Sequence, residues 1–229
     1  KYIIMETIRE LAKFNHIKYY DKPHKYYIDG EEMISATTFI GKFKEKFEED
    51  YWSKRKAKER GITQKEILAE WKHKALTSTE KGTAFHEYAE NYLTNRIFPY
   101  PEKQINEVLG EGNDVKERFD KLVKLFDKFY EDSYGKLIPI RAELVVGDKE
   151  LGICGMVDQL FFNEKSDKLE IWDWKTNKKI DKSNRWQNFK EPVSHLDVCE
   201  LNTYSLQLSL YKYIIGRNTN IKLGDCYIV

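Results

Sequence analysis

In three segments between residues 138 and 175, the hydrophobic pattern has the period of β-strands, whereas the pattern before them has the period of helices. They cover residues 138–147, 151–162 and 168–175, and short connections separate them. Gly147-Asp148 forms the first connection, and residues 163–167 form the second. Connections of this length join antiparallel neighbours, so the segments predict two successive hairpins. Because helical patterns precede and follow these strands, we expect a mixed α/β (α+β) fold with a central sheet flanked by helices.

The clearest predicted helix covers residues 114–131. One stripe of its side chains falls at helical spacing and is expected to be core: Val115, Phe119, Leu122, Val123, Phe126, Phe129 and Tyr130. We also predict helices over 6–14, 48–59, 63–78, 80–95 (ended by Phe98-Pro99) and 203–215, a helix capped by Ser35, and strands within 15–36 and 221–229. No repeat or long linker divides the chain, which favours a single domain, 1–229, with an extension (1–80) before its core (81–229).

The overall charge does not indicate any class of partner, because the chain has 39 basic and 38 acidic residues and a net charge of +1. An argument for a polyanionic partner must therefore be local. The three scattered cysteines indicate a reducing compartment and cannot supply a four-thiolate iron–sulfur cluster. No apolar run reaches the roughly 18 residues of a membrane span. We expect an intracellular protein, and the lysine- and asparagine-rich usage favours the cytoplasm of a bacterium or of a phage-infected host.

The most informative residues are Asp158, Asp173 and Lys175. Side chains alternate along a strand, so Asp173 and Lys175 share one face while Trp172 and Trp174 point to the other. Asp-x-Lys is common by chance and is usually an exposed ion pair. Here it lies in an apolar, aromatic strand, and buried carboxylates require compensation that a divalent cation supplies. A carboxylate and a lysine on one face, with a second carboxylate from a neighbouring strand, predict metal-assisted cleavage of a phosphodiester, hence a nuclease.

Two further residues are candidates for the same site. Glu143 on the preceding strand could be another metal ligand, and a surface ion pair with Arg141 is about equally compatible with its charge. His86 follows Gly82 by one helical turn. By itself, a helix histidine is more often an ordinary core or surface residue than a metal ligand.

The segment 174–190 is locally basic, with six basic residues and only Asp181 as an acid. Its basic residues are Lys175, Lys178, Lys179, Lys182, Arg185 and Lys190, and Trp186 and Phe189 lie among them. Charge interleaved with aromatic rings suits a single nucleic-acid strand, whose backbone follows the charge and whose bases stack. Such runs are usually solvated loops, but the position directly after Lys175 favours contact with substrate.

Gln207 and Tyr211 lie one turn apart on the helix predicted over 203–215. Their helix contributes core through its leucines and isoleucines, so both residues could simply cap the sheet. Alternatively, they face the metal site and hydrogen-bond a phosphate or a nucleotide.

In combination, these motifs resemble those of the PD-(D/E)XK nuclease superfamily, and of its RecB-like branch in particular. The branch has a helical Gly-x-x-x-His motif, an Asp after a glycine-containing hairpin, an Asp-x-Lys-Thr strand and a Gln-x-x-x-Tyr helix. The matching residues are Gly82 and His86, Gly155 and Asp158, Asp173, Lys175 and Thr176, and Gln207 and Tyr211. Three segments are similar to those of the group that contains the mitochondrial genome maintenance exonuclease and its phage relatives. They are residues 24–27, residues 34–40 and the sequence Trp172-Asp173-Trp174-Lys175-Thr176.

The resemblance implies a restriction-endonuclease-like core and a metal-dependent DNA exonuclease that prefers single strands or free ends. It further implies that His86, Asp158, Asp173 and the backbone carbonyl of Trp174 bind one or two Mg²⁺ or Mn²⁺ ions, and that Lys175 is catalytic. Val157 stands where the superfamily's name has proline. The cysteines of the iron–sulfur members are missing, so no cluster is expected.

We therefore expect DNA as the partner, with Gln207, Tyr211, Thr176, Lys178, Lys179, Arg185 and Trp186 as candidate substrate-binding residues. Two other functions remain open. One is a structure-selective or sequence-selective endonuclease on the same fold. The other is a non-catalytic DNA-binding or partner-binding module with a vestigial site.

Overall fold

A computed structural model of the protein describes residues 2–93, 114–133 and 135–229. Its strands are β1 (Lys18–Tyr20), β2 (Lys25–Ile28), β3 (Glu31–Ser35), β4 (Leu137–Asp148), β5 (Ile153–Asn163), β6 (Lys168–Asp173) and β7 (Leu223–Ile228). Its helices are α1 (Tyr2–Leu11), a 3₁₀ turn (Ala12–His16), α2 (Ala36–Gly41), α3 (Glu49–Arg60), α4 (Gln64–Leu93), α5 (Asp114–Ser133) and α6 (Glu200–Asn218). None of the helices in these ranges is long and apolar enough to span a bilayer.

The strands form one mixed sheet, as expected from the sequence. The two predicted hairpins are confirmed, since β4 pairs antiparallel with β5 and β5 pairs antiparallel with β6. Parallel pairs join β3 to β5 and β6 to β7. The last predicted strand continues beyond β6, because the Lys175 N–H donates to the Val229 carbonyl at 2.7 Å. Side chains up to Lys175 therefore keep the alternation of a strand.

Most predicted helices are confirmed, but the predicted break between the helices 63–78 and 80–95 is wrong. The Ser35 side chain caps α2 by accepting the Thr38 N–H at 3.1 Å, and α3 ends at Gly61 in the left-handed conformation. The segments 63–78 and 80–95 are one helix, α4, up to Leu93. The hydroxyls of Thr77 and Thr79 donate to carbonyls four residues earlier, within the helix, and do not cap a new one. Residues 94–99 lie outside the described part.

Helices cover both faces of the sheet. Leu208, Ile214 and Ile215 of α6 pack in one buried cluster that includes Ile171 of β6. A second cluster contains the predicted stripe of α5 (Phe119, Leu122, Val123, Phe126, Phe129 and Tyr130), together with Phe85 and Ala89 of α4 and the rings of Trp172 and Trp174. The Val115 side chain lies outside the described residues. Because Ile171 and Trp172 point to opposite faces, α6 lies on one side and α4 with α5 on the other.

Asp148, at the end of β4, connects the sheet to the last turn of α6. Its buried carboxylate accepts hydrogen bonds from Arg217 Nε at 2.8 Å, Asn218 Nδ2 at 3.1 Å and the Leu151 N–H at 3.0 Å. Burial raises the pKa of Asp148, but these donors outweigh it and hold the pKa below its ordinary value. Its stabilising effect is therefore present above the unfolded pKa and is lost as pH falls through the lower, folded value.

We expect Asp148→Ala to lower the free energy of unfolding by about 2–3 kcal/mol near neutral pH, because it removes a buried, charged acceptor of three hydrogen bonds. Urea denaturation of wild type, Asp148→Ala and the exposed control Asp225→Asn at a series of pH values measures this. The cost should shrink once the pH falls below the ordinary pKa of a carboxyl group. A cost equal to that of the control, or independent of pH, would contradict this role for Asp148.

Candidate functional site

Asp158 lies where the sheet divides. One edge of β5 pairs with β4 along residues 153–163. The other edge pairs with β3 at residues 153–154 and with β6 from Gln159 onward. Within the described part of the chain, no strand borders residues 155–158 on that edge, and this interruption leaves room for side chains from the helices to reach Asp158.

Asp158, His86 and Trp174 form the centre of the site. The Asp158 Oδ2 atom accepts the Trp174 N–H at 2.8 Å. The Nδ1 atom of His86 lies 3.7 Å from Asp158 Oδ1, and its Nε2 atom lies 3.2 Å from the Trp174 carbonyl oxygen. The Gly-x-x-x-His helix, the glycine-containing hairpin and the Asp-x-Lys strand therefore meet at one point.

Glu143 belongs to the same cluster. Because Ala142 pairs with Gln159 and Leu144 with Val157, Glu143 stands opposite Asp158 in the register of β4 and β5. The Glu143 backbone is left-handed, with φ of 46°, which is strained for a residue with a side chain. Its Oε1 atom lies 3.4 Å from His86 Nδ1. Two carboxylates facing each other on neighbouring strands destabilise the pair unless a positive charge lies between them.

Of the two interpretations of Glu143 that the sequence left open, the ion pair with Arg141 is not what the structure contains. Arg141 instead donates to the Asn15 side chain at 3.4 Å.

Asp173 and Lys175 face the same side, as the alternation predicts. Asp173 is only 1 % exposed, and its Oδ2 atom lies 2.6 Å from Lys175 Nζ. The Lys175 ammonium also lies 4.5 Å from the centre of the Tyr204 ring. This places a largely buried cation beside the cluster, with a carboxylate and an aromatic face holding it in position.

The electrostatics of the site show an excess of negative charge. Burial and the charge of Asp158 raise the pKa of Asp173 to about 7, although Lys175 acts in the opposite direction. Burial likewise raises the pKa of Asp158. Burial lowers the pKa of His86, but Glu143 and Asp158 outweigh it and raise that pKa to about 9. The carboxyl groups of Asp158 and Asp173 therefore hold protons more tightly than free ones do, which is expected where a cation is the missing counter-charge.

Residues 45–227 match the family model of the PD-(D/E)XK nuclease superfamily. The match covers most of the chain. The chain belongs to this superfamily. No match is found among the curated proteins or among the solved structures.

Superfamily members use divalent metal ions, and the donor atoms here fit one. One atom each of His86, Glu143 and Asp158 lies within 4.8 Å of the other two. One imidazole with two carboxylates is a common donor set for divalent cations. Within the described part, this mutual group does not include Asp173, whose carboxylate is paired with Lys175. The sequence placed Asp173 among the first ligands and left Glu143 uncertain, and the geometry favours Glu143.

Gln207 and Tyr211 lie one turn apart on α6. Gln207 Nε2 donates to the Tyr211 hydroxyl at 2.8 Å. Tyr211 is only 3 % exposed, and burial, followed by the charges of Asp173 and Asp158, raises its pKa. Tyr211 is thus part of the core and also lies near the acidic groups. A role in capping the sheet is therefore compatible with a role beside the candidate metal site.

Gly155 on β5 is required by the Tyr211 ring. A β-carbon at Gly155 would lie 2.8 Å from the Tyr211 hydroxyl oxygen and closer still to the ring atom Cε1. We expect Gly155→Ala to cost about 3 kcal/mol of unfolding free energy, the upper end for overpacking, because the buried ring has little room to move. Chemical denaturation measures the cost.

The control is Gly216→Ala in α6, where the added carbon would meet only the Leu223 side chain at 3.5 Å. Since alanine favours helix over glycine, this change should be neutral or slightly stabilising. Equal effects of the two substitutions would contradict the proposed close approach of Tyr211 to β5.

The remaining predicted residues lie along the segment that leaves the site. The Thr176 carbonyl accepts a hydrogen bond from Lys81 Nζ at 2.8 Å, and Thr176 Oγ1 approaches Gly82. Lys178 and Lys179 line one cavity, and Arg185 and Trp186 line another of about 660 Å³. Trp186 is 95 % exposed. The structure thus brings Thr176 close to the central cluster and places the other four residues in the adjoining cavities.

Two residues of the site were missed in the sequence. Lys81 is buried and holds the backbone just after the Asp-x-Lys motif, and Tyr204 lies under the Lys175 ammonium. Tyr204 lies three residues before Gln207, so the same helical face could have suggested it. Lys81 directly precedes Gly82, but a lysine in a charged helix carries no signal of burial.

Proposed function

We propose that this nuclease is a metal-dependent DNA exonuclease of the RecB-like branch that acts on single strands or free ends. The observation that carries the proposal is the convergence of His86, Glu143 and Asp158 beside the Asp173–Lys175 pair. Four sequence motifs that resemble those of this branch supply these residues or lie against them. The placement of Gln207 and Tyr211 beside the acidic groups supports the same assignment.

The proposed metal residues are His86, Asp158 and Glu143, with the Trp174 carbonyl as a further oxygen donor and Asp173 as a nearby carboxylate. A divalent ion, Mg²⁺ or Mn²⁺, would supply Lewis acidity for the phosphate and favour ionisation of the attacking water. Residues 1–229 are proposed to act as one domain, since β3 of the extension pairs with β5 of the core.

The chain's own groups would then divide the work of in-line phosphodiester hydrolysis. Asp158 and Glu143 concentrate negative charge where the cation is needed, and the Trp174 N–H fixes the orientation of Asp158. The Lys175 ammonium, held by Asp173 and by the Tyr204 ring, offsets charge that develops on the phosphate or orients the water. Gln207, through Tyr211, positions the strand from the α6 side.

Digestion of end-labelled DNA tests this function. Linear and circular substrates, single- and double-stranded, are incubated with Mg²⁺, with Mn²⁺ and with a chelator. We expect linear single strands to be degraded, circular single strands to survive, and the chelator to stop the reaction. Equal cutting of circular strands would identify an endonuclease instead, and the absence of any metal-dependent cleavage would identify a non-catalytic module.

A further inference from the structure

A groove of about 630 Å³ continues from the proposed active site between α4 and the segment after Lys175. One wall is a face of α4 with residues one turn apart, among them Lys74, Thr77 and Lys81. The opposite wall is the segment 176–179, with Lys178 and Lys179. The two walls are joined at the end near the site by the hydrogen bond from Lys81 Nζ to the Thr176 carbonyl.

The groove is rich in positive charge. Four lysines and His73 line it, whereas Glu200 is its only carboxylate among the residues that the structure describes. The Glu200 carboxylate is already engaged, since it accepts the Asp181 N–H at 2.6 Å and the Asn177 side chain at 3.4 Å. Lys179 is paired with Asp181 at 2.6 Å. Because Asp181 offsets Lys179 and Glu200 offsets one further charge, two of the four positive lysine charges of the groove are not compensated.

Two of the lysines, on opposite walls of the groove, have no carboxylate partner among the described residues. Lys74 and Lys178 are exposed, and neither has an ion pair with another residue of the described ranges. Cations that face each other across a groove repel, and an anion between them removes this repulsion. A flexible polyanion with regularly spaced charges fits such a groove better than a single small anion does.

We propose that this groove binds the phosphate backbone of the nucleic-acid strand next to the bond being cut. The inference rests on the proposed function and extends it by assigning a course to the strand. From His86 to Lys74 is twelve residues of α4, about 18 Å along the helix axis. The strand thus passes Lys175, then Lys81 and Thr176, and then lies between Lys74 and Lys178, which contact phosphates several nucleotides from the site.

The experiment measures binding without cleavage. The affinity for a fluorescent single-stranded oligonucleotide is determined by anisotropy in chelator over a range of salt concentrations. Each phosphate neutralised on a single strand contributes about 0.7 to the slope of log affinity against log salt. For Lys74→Ala/Lys178→Ala we expect the slope to fall by about 1.4 and the affinity at 0.1 M salt to fall roughly 20-fold.

The matched control is Lys165→Ala/Lys222→Ala, which removes the same charge from exposed positions. Lys165 lies in the turn before β6 and Lys222 directly before β7, at the end of the sheet opposite Asp173. Circular dichroism and Mn²⁺ titration verify that both pairs of variants keep the fold and the metal site. A loss restricted to the groove pair supports the proposal, and an equal loss in both pairs, or in neither, overturns it.

Failure of this inference and failure of the proposed function give different results. If the groove is not the course of the strand, DNA is still cleaved while the salt slope of the groove variant equals that of wild type. If the chain is not a nuclease in the proposed sense, no cleavage occurs, yet the difference in salt slope between the two pairs of variants persists.

Discussion

Replacement of Lys175 by alanine is expected to slow DNA cleavage by between 10²- and 10⁴-fold without loss of metal binding. The ammonium is largely buried, lies 2.6 Å from Asp173 and stands over the Tyr204 ring. Fixed charges of this kind act mainly on the transition state, so the catalytic rate should fall more than substrate affinity. Single-turnover cleavage of a labelled single strand at saturating enzyme measures the change.

The control is Lys165→Ala, at an exposed position in the turn before β6. It removes the same charge at a distance from the site and should leave the rate unchanged. Full activity of the Lys175 variant would remove this lysine from the mechanism. Loss of Mn²⁺ affinity in that variant would instead show that Lys175 maintains the metal site and does not act on the phosphate.

The second large effect is expected for Asp158→Asn, which should weaken Mn²⁺ binding by at least about 100-fold and abolish cleavage. The change keeps the size of the side chain, and an amide oxygen can still accept the Trp174 N–H now bound at 2.8 Å. It removes the negative charge that faces Glu143 and His86. Even residues around metal ligands alter affinity by 10- to 100-fold, so loss of a ligand charge should cost at least as much.

Isothermal titration calorimetry with Mn²⁺ and a cleavage assay measure the two effects. Asp167→Asn is the matched control, because Asp167 lies in an exposed turn with φ of 52°, a conformation that asparagine tolerates. Denaturation of both variants without metal verifies folding. Wild-type affinity in the folded Asp158 variant would contradict a metal role for this carboxylate.

Local patterns in the sequence predicted the hairpins and the α5 stripe because those depend on neighbouring residues. The parallel pairs of β5 with β3 and of β6 with β7 join distant segments, and no local pattern encodes them. Spacing also divided α4 in two, since a polar run such as Thr77 to Thr79 can cap a helix or continue it. The continuous helix matters for function, because it presents His86 and Lys74 on one rigid element.

Only those parts of the candidate site that depend on local patterns could be predicted from the sequence. Strand alternation, which the sequence contains, places Asp173 and Lys175 on one face, and the predicted hairpin brings Asp158 onto the neighbouring strand. The position of Glu143 depends on a left-handed backbone within β4 and on its register with β5, and neither follows from the charges of Glu143 and Arg141. The strained backbone and the opposed, partly buried carboxylates of Glu143 and Asp158 both cost stability, and a bound cation gives a physical reason for them.

Anomalous diffraction from a crystal grown with Mn²⁺ would locate the metal ion directly. We expect a manganese peak bonded to the side chains of His86 and Asp158, with Glu143 and the Trp174 carbonyl adjoining it and Lys175 within reach of a phosphate. A peak elsewhere on the chain, or none at a Mn²⁺ concentration that supports cleavage, would contradict this expectation.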